Sequence, residues 1–172
     1  MKRVLMYAVL ILSAFMLQNN FFAAIHWIDC TPNLLLILTF AFGFIRGKKE
    51  GMLIGLSCGI LSDFFFGTNL GFYGIIYLSI GYFNGLLGEL FYTEFLNMPV
   101  LLCFISDLLF SLYVYVFSFL LKGASNFGHY LTRVILPEIV YTVIITLISY
   151  NFLRWLDRKC AGLEKRSANK YV

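Results

Sequence analysis

The stretch EGMLIGLSCGILSDFFFG, residues 50–67, decides how this chain is read. It is apolar enough for a bilayer, yet it sets Gly51, Gly55 and Gly59 at four-residue intervals and then adds Asp63. Residues four apart share one face of a helix. A face of bare backbone gains nothing against lipid, but it lets a second helix close in, which is a main means of helix association in membranes. The next apolar run repeats the pattern, with Gly81, Gly85 and Glu89 matching Gly55, Gly59 and Asp63. Joined by the short turn GTNLG, the two runs are expected to pack closely as an antiparallel helical hairpin.

The rest of the chain supplies the medium. Its 172 residues are 60% hydrophobic and 13% charged, with a mean hydropathy of +0.84. A soluble domain carries about a quarter charged residues, so half that share in long apolar runs indicates an integral membrane protein. Six runs stand out, at residues 4–22, 33–45, 52–66, 72–87, 100–121 and 134–153. The expected fold is therefore all-α and polytopic, a single transmembrane domain over residues 1–172 with six transmembrane helices. The second and third runs are short against the roughly 20 residues a span needs, so five spans plus a re-entrant segment is the alternative. The start, MKRVLMYAVLILSAFML, has the layout of a signal peptide. No small-residue cleavage site follows it, which reads as a retained signal anchor.

Basic residues set the orientation. With both termini cytoplasmic, eleven of the 13 Lys and Arg fall inside: Lys2, Arg3, Arg46, Lys48, Lys49, Arg154, Arg158, Lys159, Lys165, Arg166 and Lys170. Only Lys122 and Arg133 fall outside, the asymmetry expected of cytoplasmic loops. The inner loop at residues 88–99 carries Glu89 and Glu94, which contribute little to orientation. Residues 154–172 form a short basic tail, read as a topogenic and lipid-binding segment in preference to a specific protein-docking site, and no nucleic-acid partner is expected. Trp27, Tyr92 and Trp155 sit where an interfacial belt would lie. Cys30, Cys58, Cys103 and Cys160 lack paired spacing, and His26 and His129 have no ligand pattern nearby. No metal, cofactor or thiol catalyst is expected.

Intramembrane acids need a reason. At 1.5 Å per residue, Asp63 lies about 18 Å above the inner boundary of a roughly 30 Å core. An unpaired charge there costs about 2.5–3.5 kcal/mol near the centre, so the acid is expected to be protonated or partnered. Glu138 reaches a similar depth, and Arg133 lies one turn above it. These three are the expected intramembrane polar contacts, and Asp107 is assigned to a deeper, separate layer. A packing role is preferred to a proton path, because a path needs acids at connected depths. No nucleophile–base spacing or phosphate loop is present, so no enzymatic role is expected.

The segment TPNLLLILTFAFGFIRGKKEGMLIGLSCGILSDFFFGTNLGFYGIIYLSIGY, residues 31–82, resembles the core of the MreD family of rod shape-determining proteins. The resemblance lies in Pro32–Asn33 opening a span, Arg46–Gly47 ending it, the Gly55, Gly59, Asp63 run, and Gly67 followed by Leu70–Gly71. It implies a non-enzymatic scaffold in the cytoplasmic membrane of bacteria, acting in side-wall peptidoglycan synthesis. The implied partners are an MreC-like single-pass protein and, through it, an MreB-like cytoskeleton and the wall-synthesising enzymes. On that reading Gly51, Gly55, Gly59, Asp63, Gly81 and Gly85 serve helix packing or partner contact. The alternative is a substrate-binding subunit of an energy-coupling-factor vitamin transporter, which has a similar six-span layout. The A-x-x-x-A pattern such subunits often carry near the first span is missing, since Leu12 follows Ala8 and Gln18 follows Ala14.

Overall fold

The computed structural model describes residues 2–22, 31–67, 71–90, 97–117 and 127–168. Six main helices carry these segments: α1 (Lys2–Met16, continued by a wide turn at Leu17–Phe22), α2 (Leu34–Arg46), α3 (Lys48–Phe66), α4 (Phe72–Leu90), α5 (Asn97–Tyr115) and α6 (Leu136–Ala168). A short turn of helix, Phe127–Tyr130, and a wide turn, Leu131–Ile135, lead into α6. The wide turn falls just before Pro137, whose missing N–H leaves a carbonyl one turn back without its helical partner. No strand occurs among the described residues.

α2 is the hub. Leu35 through Gly43 are all buried, so the helix is covered on every side. A helix that is hydrophobic all round belongs in an interior. α3 and α4 pack against it and against each other, α5 and α6 form a second antiparallel pair, and α1 closes the near side. The bundle combines an apolar core with buried polar residues and an apolar exterior. Asn33, Thr39, Ser62, Asp63, Asn84, Ser106, Asp107, Ser111, Thr142 and Thr146 are buried, while Leu53, Ile60, Phe64, Ile75 and Ile148 are exposed. Such a surface would drive association in water but suits hydrocarbon.

The six expected spans correspond to six helices with shifted ends. Among the described residues, Leu131–Lys159 is the one helix long and apolar enough to cross a membrane by length and composition. The stretches Leu5–Asn20, Leu34–Arg46 and Pro99–Tyr115 are apolar but shorter. α3 and α4 have 19 residues each, about 28 Å, and their glycines and buried polar residues dilute their hydropathy. The last helix runs on through the basic segment that hydropathy marks as a tail. α6 has 33 residues, about 50 Å of helix against a roughly 30 Å core. Lys159 Nζ sits 3.9 Å from the centroid of the Trp155 ring on that extension.

Residues 68–70 of the GTNLG turn, the inner loop at 91–96, His26, Trp27, Cys30, Tyr92, Glu94, Lys122 and Lys170 lie outside the described residues. So do the side chains of Lys2, Arg3, His129, Cys160, Lys165 and Arg166.

Candidate functional site

The Pro32–Asn33 pair opens α2 inside the bundle, where irregular backbone is tolerated only if protein satisfies it. Asn33 does most of this. Its Oδ1 accepts the Leu36 N–H at 3.1 Å, a side-chain cap on the first turn. The same oxygen accepts the Tyr77 hydroxyl of α4 at 2.8 Å. The Asn33 N–H donates to Thr142 Oγ1 of α6 at 3.3 Å, and Gln18 Oε1 takes the Leu35 N–H at 3.4 Å. One asparagine thus ties α2 to α4 and α6.

Arg46–Gly47 closes the other end of α2. Gly47 is the single residue between α2 and α3 and holds φ +90°, a backbone region that favours glycine. Its N–H donates to Gly43 O at 2.8 Å, and its carbonyl accepts from Gly51 N at 3.1 Å. Arg46 Nε meets Asp157 Oδ1 of α6 at 2.5 Å. Tyr7 of α1 donates to Glu50 Oε2 at 2.6 Å. These contacts gather the start of α1, the end of α2, the start of α3 and the end of α6 at one end of the bundle.

Between the ends, the backbones of α3 and α4 touch. An added Cβ at Gly51 would lie 2.5 Å from Gly81 O, and one at Gly81 would strike Gly51 O in return. Gly55 lies against the Tyr77 backbone, Gly59 against Tyr73 and Gly74, and Gly85 against Gly47 and Lys48. The register is antiparallel, with residue numbers summing to about 132 at each step. Gly43 of α2, which the sequence reading passed over, joins the same point: its Cβ would lie 2.8 Å from Gly81 O. Three glycines from three helices meet there. The packing consumes these faces within the chain and leaves none of them for a partner helix, so the partner-contact role expected of Gly51, Gly55, Gly59, Gly81 and Gly85 has no open surface to act on.

Asp63 closes the hairpin in a way its depth did not suggest. Its Oδ2 accepts N–H groups from Gly71 at 3.0 Å and Gly74 at 2.9 Å, and its Oδ1 accepts the Tyr73 N–H at 2.7 Å. The partners are the unpaired donors at the start of α4, where the helix dipole also favours an anion. Arg133 and Glu138 are not its partners. All three contacts are donated to the carboxyl, which suits an ionised acid, an acceptor only. The expectation that Asp63 is protonated or partnered is met by partnering, with backbone N–H groups in place of side chains. Gly71, at φ +98° with open space around it, turns the chain into α4, and Gly67 ends α3 with its N–H on Asp63 O at 2.9 Å.

Glu89 mirrors this arrangement at the opposite end. Its Oε1 accepts the Lys48 N–H at 3.4 Å, at the start of α3, and its Oε2 pairs with Lys48 Nζ at 3.2 Å. The Lys48 hydrogen bonds hold this exposed carboxyl below its usual range. Each helix of the hairpin therefore ends in an acid that caps the beginning of the other. The repeated Gly-x-x-x-Gly-x-x-x-acid spacing was the available signal, since antiparallel helices in glycine contact bring each end onto the other's start.

No curated protein and no solved structure matches the chain at a significant level. The family described as rod shape-determining protein MreD matches residues 1–160, which takes in the helix junctions, the glycine hairpin and both capping acids. That family is one of structural, shape-determining membrane proteins and not of enzymes. On a match of this extent, the chain belongs to the MreD family.

Proposed function

We propose that this protein is a multi-pass scaffold of the bacterial inner membrane, with both termini cytoplasmic and one transmembrane domain. It holds an MreC-like single-pass partner and through it links an MreB-like cytoskeleton to the wall-synthesising enzymes. Family membership across residues 1–160 is the observation that carries this reading. The construction is in keeping with it: helices fixed by backbone contact and capped ends make a stiff body, and the apolar exterior offers its sides to lipid or to another helix. Because the glycine faces are filled from within, the partner is received on the larger side chains of the outer surface. The α6 extension, with Arg154, Arg158 and Lys159, lies at the same end as Arg46 and suits anionic headgroups.

The test is depletion of the protein in a rod-shaped host, with the tagged chain used to recover partners from solubilised membranes. Rounded cells and recovery of a single-pass periplasmic protein are expected. Intact shape together with a new vitamin requirement would replace the scaffold by the transporter subunit.

A further inference from the structure

The pair formed by α5 and α6 contains a polar ladder that neither the family reading nor the hairpin uses. On α5, Cys103, Asp107 and Ser111 recur every fourth residue, and on α6 so do Glu138, Thr142 and Thr146. The helices are antiparallel, and Cys103 Sγ meets Thr146 Oγ1 at 3.0 Å. One turn on, the same antiparallel register sets Asp107 opposite Thr142. A further turn puts Ser111 at the level of Glu138, whose carboxyl interacts electrostatically with Asp107. Asp107, Cys103, Thr142 and Thr146 are fully buried, and Ser111 is 3% exposed.

Hydrogen-bond accounting then singles out Asp107. The Thr146 hydroxyl donates to Thr142 O at 2.7 Å, and the Thr142 hydroxyl donates to Glu138 O at 2.8 Å. With its proton directed at Glu138 O and one lone pair taken by the Asn33 N–H at 3.3 Å, the Thr142 oxygen keeps one acceptor position for a donor on Asp107. Both Asp107 oxygens, and Ser111 Oγ, have no hydrogen-bond partner among the described residues. An ionised carboxylate here would be an acceptor facing an acceptor, in a dry interface.

Among the described residues, the surroundings of Asp107 supply no counter-ion. Cys103 lies on the same helix, Tyr77 and Tyr73 face the two carboxyls from α4, and Glu138 faces in from α6. The one ionisable group of α2, Arg46, is held by Asp157, fifteen residues and so about 22 Å along α6 from Thr142. Arg154 begins the basic residues of α6 about 18 Å from Thr142 along the axis, and the exposed Arg133 is about 13 Å from Thr142 in the other direction, about 7 Å beyond Glu138.

We propose that the α5–α6 ladder is an intramembrane proton-binding site. Asp107 takes up one proton from water and donates it to Thr142 Oγ1, and Glu138 is the second carboxyl of the site. Two carboxylates one turn apart in a dry seam cannot both stay charged, so losing the proton loosens α5 from α6. The packing of this pair is thereby tied to protonation.

The test is infrared spectroscopy of the full chain in phosphatidylcholine nanodiscs, reading the carbonyl stretch of protonated carboxylic acids. The wild type is expected to show such a band, which disappears in Asp107→Asn and remains in Asp63→Asn. Thr142→Val should shift the band without abolishing it, because the acceptor goes but the acid stays. Raising the pH should remove the wild-type band and lower the unfolding temperature together, whereas Asp107→Asn, whose amide keeps a donor for Thr142, should lose that pH dependence. A band unchanged in Asp107→Asn overturns the proposal. Loss of the band on replacing choline chloride with sodium chloride at constant pH also overturns it, by making the ligand a metal cation.

Discussion

Replacing Asp63 separates an ionised cap from a neutral buried acid, because the two readings rank the same substitutions differently. Asp63→Ala leaves the N–H groups of Gly71, Tyr73 and Gly74 without their acceptor. An unsatisfied buried donor costs about 1–3 kcal/mol, and a hydrogen bond to a charged group contributes about 1.5–3 kcal/mol. Gly74 N–H is buried, while the other two bonds are only partly so, so the expected loss is about 2–4 kcal/mol rather than three full penalties. Asp63→Asn preserves shape and still fails. Its Oδ1 can serve Gly71 and Gly74, but its amide nitrogen then stands where Oδ1 accepted Tyr73 N–H at 2.7 Å, a donor against a donor. Loss of the charge at the helix start removes a further 0.3–1 kcal/mol or so. Asn is therefore expected to cost about 1.5–3 kcal/mol, most of the alanine effect. The assay is unfolding of the purified full chain in detergent, with amide hydrogen exchange at Tyr73 and Gly74 as the local readout. An Asn variant as stable as wild type, with unchanged protection at Tyr73, would refute the ionised-cap reasoning.

The remaining predictions concern other joints. Gly81→Ala should destabilise by about 1–3 kcal/mol or more, the usual cost of overpacking, because its Cβ meets the backbone of Gly51 rather than a side chain able to move; Gly128→Ala, with nothing within 4 Å, should change stability little, and equal behaviour of the two would sink the triple-glycine junction. Glu89→Gln should lower the unfolding temperature at neutral pH but not in acid. The folded carboxyl titrates below its usual range, so its contribution is present above that range and fades as pH falls through it; a difference that persists in acid, or that ignores added salt, contradicts the pairing with Lys48. Orientation is checked with maleimides: Cys30 should react with an impermeant reagent from outside and Cys160 only after permeabilisation, since Cys58 and Cys103 are buried and free. The reverse pattern would invert the topology.

The hairpin was legible in the sequence because glycine spacing specifies both which faces meet and, once the turn is short, in what register. Helix ends were less so. Hydropathy stops at charge, yet a helix does not, and α6 continues through Arg154, Arg158 and Lys159 to Ala168. The depth of Asp63 was readable from its position, but not its partners, because backbone donors have no letter in the sequence and depth arithmetic sees only side chains. Glu138 was set beside Asp63, whereas its carboxyl interacts with Asp107. Ser111, Thr142 and Thr146 went unnoticed singly in oily spans, and Cys103 was read only as a cysteine without paired spacing. Their four-residue spacing on both helices was a usable signal, and only the antiparallel pairing shows that the two stripes face each other.

The central position of α2 has a consequence for how the protein is made. The helix ringed by all the others is among the first to be synthesised. Its 13 residues reach only about 20 Å, too short for a roughly 30 Å core. Forty-four residues separate Arg46 from the end of α4 at Leu90, an interval of about 2–9 s at 5–20 residues per second. Throughout that interval Asn33 and Thr39 have no α4 or α6 to cover them, and the start of α2 stands open to lipid or to the insertion channel. The nascent chain therefore depends on the channel, or a membrane chaperone, to hold α2 until the hairpin arrives. Lesions that delay α4 should act first as substrates for membrane proteolysis and only then as defects of shape.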